Sequence, residues 1–310
     1  MDRRHRQRGA AIVTAMLVVT LAAVVVSSLF WREHVAVRSV ENRLALAQAR
    51  WIERAALDWA KVILRADFRT SPQVDHLQET WAIPVLDTRM DETVTAGAKI
   101  DDGARQALLA GQVTDAQSRF NLTSLVDANG QPVEPYVKAL QRLLSIVGKP
   151  ESAADPIVQR VQQSVPRTAQ GRTLPAQRPP LVRLADLLDV AGLDPTVVAA
   201  LQPHAIVLPT RTPVNVNTAS AEVIAALAGI GVADARRIIA RRERVVFASP
   251  AQALEAAGVP IQSPIDAIAS VRSDYFLVVG VIRYDRVESQ TETLLNRMAD
   301  RVEVVWQLRL

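Results

Sequence analysis

Residues 10–31 carry no charged side chain. The run is 22 residues long and is mostly Ala, Val, Leu and Ile. As a helix rising about 1.5 Å per residue it reaches roughly 33 Å, enough to cross the hydrocarbon core of a bilayer. Ahead of it stands a short leader with Arg3, Arg4, Arg6 and Arg8 against one acid, Asp2, ending in Gly9. Positive charge on that flank holds the N-terminus in the cytoplasm and sets the long C-terminal body across the inner membrane. No small-residue cleavage site follows the apolar run. Ser27-Ser28-Leu29-Phe30-Trp31 leads straight into more helix-forming sequence. The apolar helix is therefore expected to remain as a permanent single-pass anchor.

An Arg-rich leader closed by Gly directly before an apolar helix resembles a type IV prepilin signal. The resemblance implies a cut by prepilin peptidase between Gly9 and Ala10, ahead of the helix. A plain signal anchor and an atypical signal peptide share the apolar run and remain open on the N-terminus alone.

The chain of 310 residues is long enough for two or three small units with separate cores. Its formal charge of +4 comes largely from the leader, which leaves a nearly neutral body and a weak case for nucleic acid. With no Cys, disulfides and thiolate metal sites are excluded. His5, His34, His76 and His204 are scattered, and no pair has metal-ligand spacing. There is no nucleophile elbow, Walker loop or dinucleotide fingerprint. The acidic pairs Asp91-Glu92 and Asp101-Asp102 sit in turn-like contexts. The chain is not expected to be an enzyme.

Residues 32–68 contain neither Pro nor Gly, so the membrane helix is expected to continue as one amphipathic helix. Val40, Leu44, Ala47, Trp51, Ala55, Trp59 and Val62 recur at steps of three and four, which marks one apolar stripe for packing on a domain. Ser71-Pro72 ends it, and a break near Arg32 is the alternative. Residues 93–100 alternate weakly as a strand, and 111–120 do so more poorly. Helical spacing marks 136–147, 181–191, 195–201, 220–227, 233–244 and 250–256, while the Pro- and Arg-rich stretch 166–180 reads as a loop. Residues 275–284, 287–298 and 302–308 are rich in β-branched residues and short turns, as in an antiparallel meander.

Within this helical region, Val214-Asn215-Val216-Asn217-Thr218-Ala219-Ser220 is followed by Gly229-Ile230-Gly231 and by Arg236, Arg237, Arg241 and Arg242. The pattern looks like a helix-hairpin-helix, or SAM-like, unit. Thr218 or Ser220 can cap a helix, and Gly229 and Gly231 permit a tight turn. In DNA-binding hairpins such a turn presents N–H groups to a phosphate beside basic residues. A membrane-tethered DNA-binding protein of the competence type, using Gly229, Gly231, Arg236 and Arg237, is thus the alternative reading. Helix packing alone is favoured, because Glu222, Asp234 and Glu243 offset the Arg charge.

The segment Asp115-Ala116-Gln117-Ser118-Arg119-Phe120-Asn121-Leu122-Thr123, the Asn215/Asn217 segment and the prepilin-like start stand in the order that resembles the protein K family of the type II secretion system. These are the largest minor pseudopilins. The resemblance implies an α+β fold: a pilin-like long N-terminal helix plus an antiparallel sheet, with a large all-α insertion of two SAM-like, helix-hairpin-helix parts. The implied division is a leader 1–9, a transmembrane helix 10–31, its amphipathic continuation 32–68, and a pilin-like body from 69–114 and 270–310. The first SAM-like part is 115–212 and the second 213–269. The implied role is to cap the pseudopilus tip and promote its assembly. The implied partners are the other minor pseudopilins and the major pseudopilin, without nucleic acid. Most pilin-type chains carry Glu five residues into the mature helix, where this one has Thr14. Protein K members typically lack that Glu, which fits a subunit with no neighbour ahead of it. Family members also often carry an acidic, calcium-associated segment. Here residues 163–180 are basic and Pro-rich, so calcium is possible by resemblance only and no ligands are assigned.

Overall fold

The structure is a computed structural model that describes residues 3–89, 107–169, 172–256, 258, 265–284 and 287–310. The expected strand at 93–100 lies outside them. Helix α1 is continuous over Arg3–Thr70, 68 residues, with no break at Arg32. Its interior beyond Gly9 is free of Gly and Pro and dense in Ala, Leu and Arg. The last turn closes with Ser71 N–H donating to Asp67 C=O at 2.8 Å, and Pro72 forbids another.

The chain divides into two compact units. The first comprises Met1–Ala55, Asp87–Leu109 and Ile282–Ser289, and the second comprises Ala56–Leu86, Ala110–Val281 and Gln290–Leu310. In the first unit Ala45 and Ala49 of α1 pack with Ile282 and Val287. In the second, Leu64 packs with Trp81, Phe276, Leu295 and Val302. Trp81 meets Phe276 edge-on at 5.1 Å between ring centroids.

The large residues of the expected stripe do not face these cores. Val40, Leu44, Trp51, Trp59 and Val62 are 55–70 % exposed. The buried face carries Ala45, Ala49, Ala60 and Leu64 instead. Small side chains let a helix backbone lie close to its support, so burial fell to Ala and the bulky stripe points outward. The periodicity was correct for a helix, and the side assigned to the domain was the wrong one.

Strands β1 (Val85–Arg89), β2 (Ala107–Asp115), β9 (Tyr275–Tyr284), β10 (Val287–Arg297) and β11 (Val302–Arg309) form one five-stranded antiparallel sheet in the order β1-β2-β9-β10-β11. Strand β10 pairs antiparallel with β11, from Thr291 opposite Arg309 to Arg297 opposite Val302, with an irregularity between Leu294 and Leu295. In the second unit the sheet is covered on both faces. Phe276 and Leu295 turn toward α1. Leu277 and Leu294 turn toward Ile206 and Leu208. Burial on both sides explains why 275–282 is an almost unbroken apolar run.

Neighbours β2 and β9 are separated in sequence by an insertion. It holds α2 (Glu134–Ile146), α3 (Ala154–Gln162), α4 (Pro195–Leu201), α5 (Ala221–Ala228), α6 (Val232–Arg242) and α7 (Pro250–Ala256). Short pairs stitch it: β3 (Phe120–Asn121) with β6 (Ala205–Ile206), and β7 (Val214–Asn215) with β8 (Ala269–Ser270), both parallel. One apolar core runs through it, from Phe120 and Leu143 to Ile224, Ile238 and Ala269.

Three details differ from expectation. The stretch read as a loop contains a small antiparallel pair, β4 (Arg167–Ala169) with β5 (Arg172–Leu174). Residues 184–189 form a 3-10 turn rather than an α-helix, with Asp186 Oδ2 accepting from Val182 N–H and Arg183 N–H at its start. Helix α3 is not announced by periodicity, and its Pro156 is tolerated because it lies in the first turn.

The two faces of α1 give a direct test. Leu64→Ala is expected to destabilise by about 2–5 kcal/mol, and Val62→Ala, two residues away on the exposed face, by no more than about 0.5 kcal/mol. Thermal unfolding of both variants in detergent micelles measures the difference.

Candidate functional site

The insertion leaves the sheet after β2 and returns before β9, so two backbone stems meet at one neck. The neck is polar and closed to water. Asp115, the last residue of β2, is buried, as are Asp75, Asn215 and Ser273. Asp115 Oδ2 accepts from Thr218 Oγ1 at 2.5 Å and Ser273 Oγ at 2.7 Å, and lies 3.0 Å from Asn215 Nδ2. Its Oδ1 accepts from Gln117 N–H at 2.7 Å. Gln117 Oε1 in turn accepts from Asp274 N–H at 2.7 Å and Tyr275 N–H at 3.2 Å. The outgoing stem thereby fixes the register of the returning one.

Asp75 links this neck to the end of α1. Its Oδ2 accepts from Ser273 N–H at 2.8 Å. Both its oxygens accept from Arg297 Nη2, at 2.5 and 2.7 Å. Arg297, on β10, is wholly buried, donates through Nη1 to Asp67 Oδ2 at 2.7 Å, and gives Ser273 C=O a further bond at 2.7 Å. Its guanidinium stacks 4.6 Å from the centre of the Phe276 ring and 5.3 Å from that of Phe68. One cation thus serves two carboxylates from α1 and the loop after it.

Buried charge shifts titration. Burial and the nearby Glu79 push the Asp67 carboxyl up to about 6 against the pull of Arg297. Burial raises Asp75 and Glu79 as well. Asp115, wholly enclosed, is pushed up to about 6 by burial, although its hydrogen-bond donors act in the opposite sense.

Asp67, Asp75 and Glu79 each bring an oxygen within 4.8 Å of the others, which is a metal-like cluster. Arg297 already supplies its cation to two of the three, and Glu79 Oε2 accepts from Trp81 Nε1 at 2.7 Å. Residues 163–180 contain no Asp or Glu. Beside them Arg160 donates to Pro179 C=O at 3.1 Å. That donor set does not fit the calcium that the resemblance allowed.

Asn121, Asn217, Thr218 and Ser220 of the motif segments are all engaged in hydrogen bonds. Asn121 Oδ1 accepts from Thr123 N–H and Leu208 N–H, and its Nδ2 donates to Thr210 C=O and Thr212 Oγ1. Asn217 exchanges two bonds with the backbone of Phe247. Ser220 is the cap of α5, while Thr218 is engaged by Asp115. Sequence reasoning missed Asp75 and Arg297. Asp75 stands in a short loop, and Arg297 occupies the last position of a strand, where an Arg normally reads as solvated. The buried alternation of β10 is the signal that could have found Arg297.

Gly229 and Gly231 lie at the turn between α5 and α6, while Arg236 and Arg237 stand farther along α6. Gly229 takes a left-handed φ of 66°, as a helix terminus of this kind requires. Gly231 does not; it is extended, φ −66° and ψ 149°, and precedes α6. The guanidinium of Arg142 lies 3.0 Å from where a Gly229 Cβ would stand. Ile230 N–H donates back to Ala225 C=O at 3.1 Å. Arg236 is exposed, Arg237 pairs with Asp234 at 2.7 Å, and Arg242 is turned inward to Val216 C=O and Ala219 C=O. An acid in the first turn of α6 and an inward Arg are poor provisions for a phosphate.

The description "Type II secretion system (T2SS), protein K" matches residues 118–210 and again 214–271. The chain is 32 % identical over 266 residues to type II secretion system protein K of Pseudomonas aeruginosa, covering 79 % of this chain and 75 % of that protein. It is 26 % identical to the protein of the same description from Aeromonas hydrophila, covering 97 % and 96 %. Its fold is similar to a chain of the crystal structure of the GspK-GspI-GspJ complex from enterotoxigenic Escherichia coli. That likeness has a TM-score of 0.67 at 21 % identity and covers 87 % of this chain and 99 % of the other.

The titration of the neck has a sign. Asp67 and Asp115 bind protons more tightly in the native state than at the unfolded value near 4. Their share of stability is complete below about pH 4 and falls as pH rises through about 6. Asp115→Asn is expected to flatten that fall. It should also destabilise by about 1–3 kcal/mol at pH 7, because an amide N–H₂ would face donors. Thermal unfolding between pH 4 and 7 checks both, and an unchanged slope would remove Asp115 from the titrating set.

Proposed function

Since this chain belongs to the protein K family of the type II secretion system, and is therefore a minor pseudopilin with a single-pass helical anchor, we propose that it caps the tip of the pseudopilus and promotes its assembly. The observation that carries the reading is the uncovered stripe of α1. Val40, Leu44 and Trp51 in the first unit, and Trp59 and Val62 in the second, are bulky, apolar and exposed. Single exposed apolar residues need no explanation, but a row of them at helical spacing marks a surface for another helix. The partners are the other minor pseudopilins and, below them, the major pseudopilin. The chain similar in fold comes from a complex described with GspI and GspJ, which supports partners of that class.

The tip position follows from two further features. Thr14 is a neutral residue whose Oγ1 donates to Ala11 C=O at 3.0 Å, so at that depth no charge calls for a neighbouring amine. The insertion between β2 and β9 is as large as an independent domain, and a filament of subunits stacked by their helices accommodates such a head where nothing stacks above it. Residues 115–212 and 213–269 act as two SAM-like parts sharing one core, and the separate matches over 118–210 and 214–271 support that division.

The chain enters the inner membrane with its Arg-rich leader cytoplasmic and its body periplasmic. Prepilin peptidase cuts between Gly9 and Ala10, removes the first residues of α1 and leaves the helix from Ala10 onward in place. Mass spectrometry of the mature chain is expected to find an N-terminus at Ala10. A start at Met1, or one after Ser28, contradicts the processing.

Co-purification tests the assembly. The full chain is expected to recover two or more small pseudopilins encoded by the same organism, and Trp51→Arg with Trp59→Arg is expected to abolish recovery while thermal stability stays within about 0.5 kcal/mol. Recovery of none by the wild-type chain overturns the reading.

A further inference from the structure

Within the second unit, the sheet and the insertion leave an apolar groove of about 350 Å³ between them. Leu277 of β9 and Trp306 and Leu308 of β11 form one side, and Leu188 and helix α4 the other. At its rim Val182 and Leu188 are 52 % and 54 % exposed. This is the sheet face that carries Leu277 and Leu294, opposite the face that meets Leu64 of α1. Lateral packing through α1 therefore leaves the groove open.

Two polar features make it more than a gap in packing. The first is Arg119, which lines the groove. Among the described residues its guanidinium has no hydrogen bond and no ion pair; it is partly buried, which disfavours its charge, and only the charge of Glu292, across the same groove, acts to keep it. A partly buried guanidinium without a bonded partner has donors free for an incoming carboxylate, which would add to the charge that Glu292 supplies. The second is the position of β11 at the end of the sheet order. Among the described residues its outer side has no neighbouring strand, and Val304 and Val305 are 41 % and 37 % exposed. An open edge is a template for one more strand. A strand paired there puts every second side chain on the face of Trp306 and Leu308.

We propose that the outer edge of β11 and this groove form a docking site for an extended acidic peptide segment of a partner protein. The segment adds to the sheet as a further strand, sets apolar side chains on Trp306 and Leu308, and places a carboxylate against Arg119. Main-chain bonds to the edge give affinity, and the groove gives sequence preference. Neither depends on the helix-mediated assembly argued above.

The test uses the full chain in detergent micelles and three fluorescein-labelled octapeptides of alternating Val and Thr, which differ only in Asp, Asn or Lys at the fourth position. Fluorescence anisotropy is expected to show saturable binding in the order Asp, Asn, Lys. Arg119→Gln is expected to weaken the Asp peptide by about tenfold and leave the Asn peptide nearly unchanged, the scale of one charged hydrogen bond. Arg119→Lys, which keeps the charge should the first variant fold poorly, is expected to preserve the order. Trp306→Ala weakens all three together. Failure of every peptide to saturate, equal binding of the three, or an order unmoved by Arg119→Gln overturns the proposal. None of these outcomes bears on recovery of the pseudopilins, so the two readings fail separately.

Discussion

Arg297 is the group on which the second unit depends. A guanidinium with no exposed surface is costly unless its charge is paired; the Nη1 and Nη2 of Arg297 are bonded, while its buried Nε has no hydrogen-bond partner among the described residues. Here Asp67 and Asp75 meet the charge, and Ser273 C=O accepts a further bond. Those partners belong to the end of α1, the loop behind it and the residue that leads into β9. Ser273 then hands the network to Asp115 at the end of β2 and to Asn215 inside the insertion. A chain of hydrogen bonds therefore ties the anchor helix, both sheet strands that flank the insertion, and the insertion itself. An apolar neck could hold these segments more cheaply, but apolar contacts do not fix register. Each bond here has a direction, and a shift of one residue would strand several donors in a dry interior.

A rigid neck suits a protein that works by position. In each unit α1 is covered on the face of Ala45 and Ala49 or of Ala60 and Leu64, while its bulky apolar residues stay exposed. Ala45, Ala49 and Ala60 make that possible, since they allow close support without using the bulky residues. The same economy holds in the sheet. One face accepts α1 and the other accepts the insertion, and the uncovered remainder of that second face, beside the edge of β11, is where a third kind of contact has room.

Much of this was legible in the residues. The apolar run and its leader declared an anchor, and the freedom from Gly and Pro to Phe68 declared a single helix. The three β-branched segments after Ser270 declared the closing strands. The Asn121 and Asn215/Asn217 segments declared a family. What they do was not legible, because a buried amide clamp and a ligand-binding amide share one sequence. The inward face of α1 was misread for a related reason. Periodicity identifies which residues share a face, but a helix with Ala on one side and Trp on another does not say which side is covered. Asp75 and Arg297 lie more than two hundred residues apart, and only the closed fold makes them partners.

The Arg297–Asp75 pair locks the neck. A double-mutant cycle of Arg297→Met and Asp75→Asn, followed by denaturant unfolding of the full chain in micelles, tests it most directly. Arg297→Met alone is expected to lose about 3–5 kcal/mol, and the two sites are expected to show a coupling energy of about 2 kcal/mol or more. Strictly additive effects, with Arg297→Met near zero, would show that the neck is held by its packing and that the buried charges are incidental.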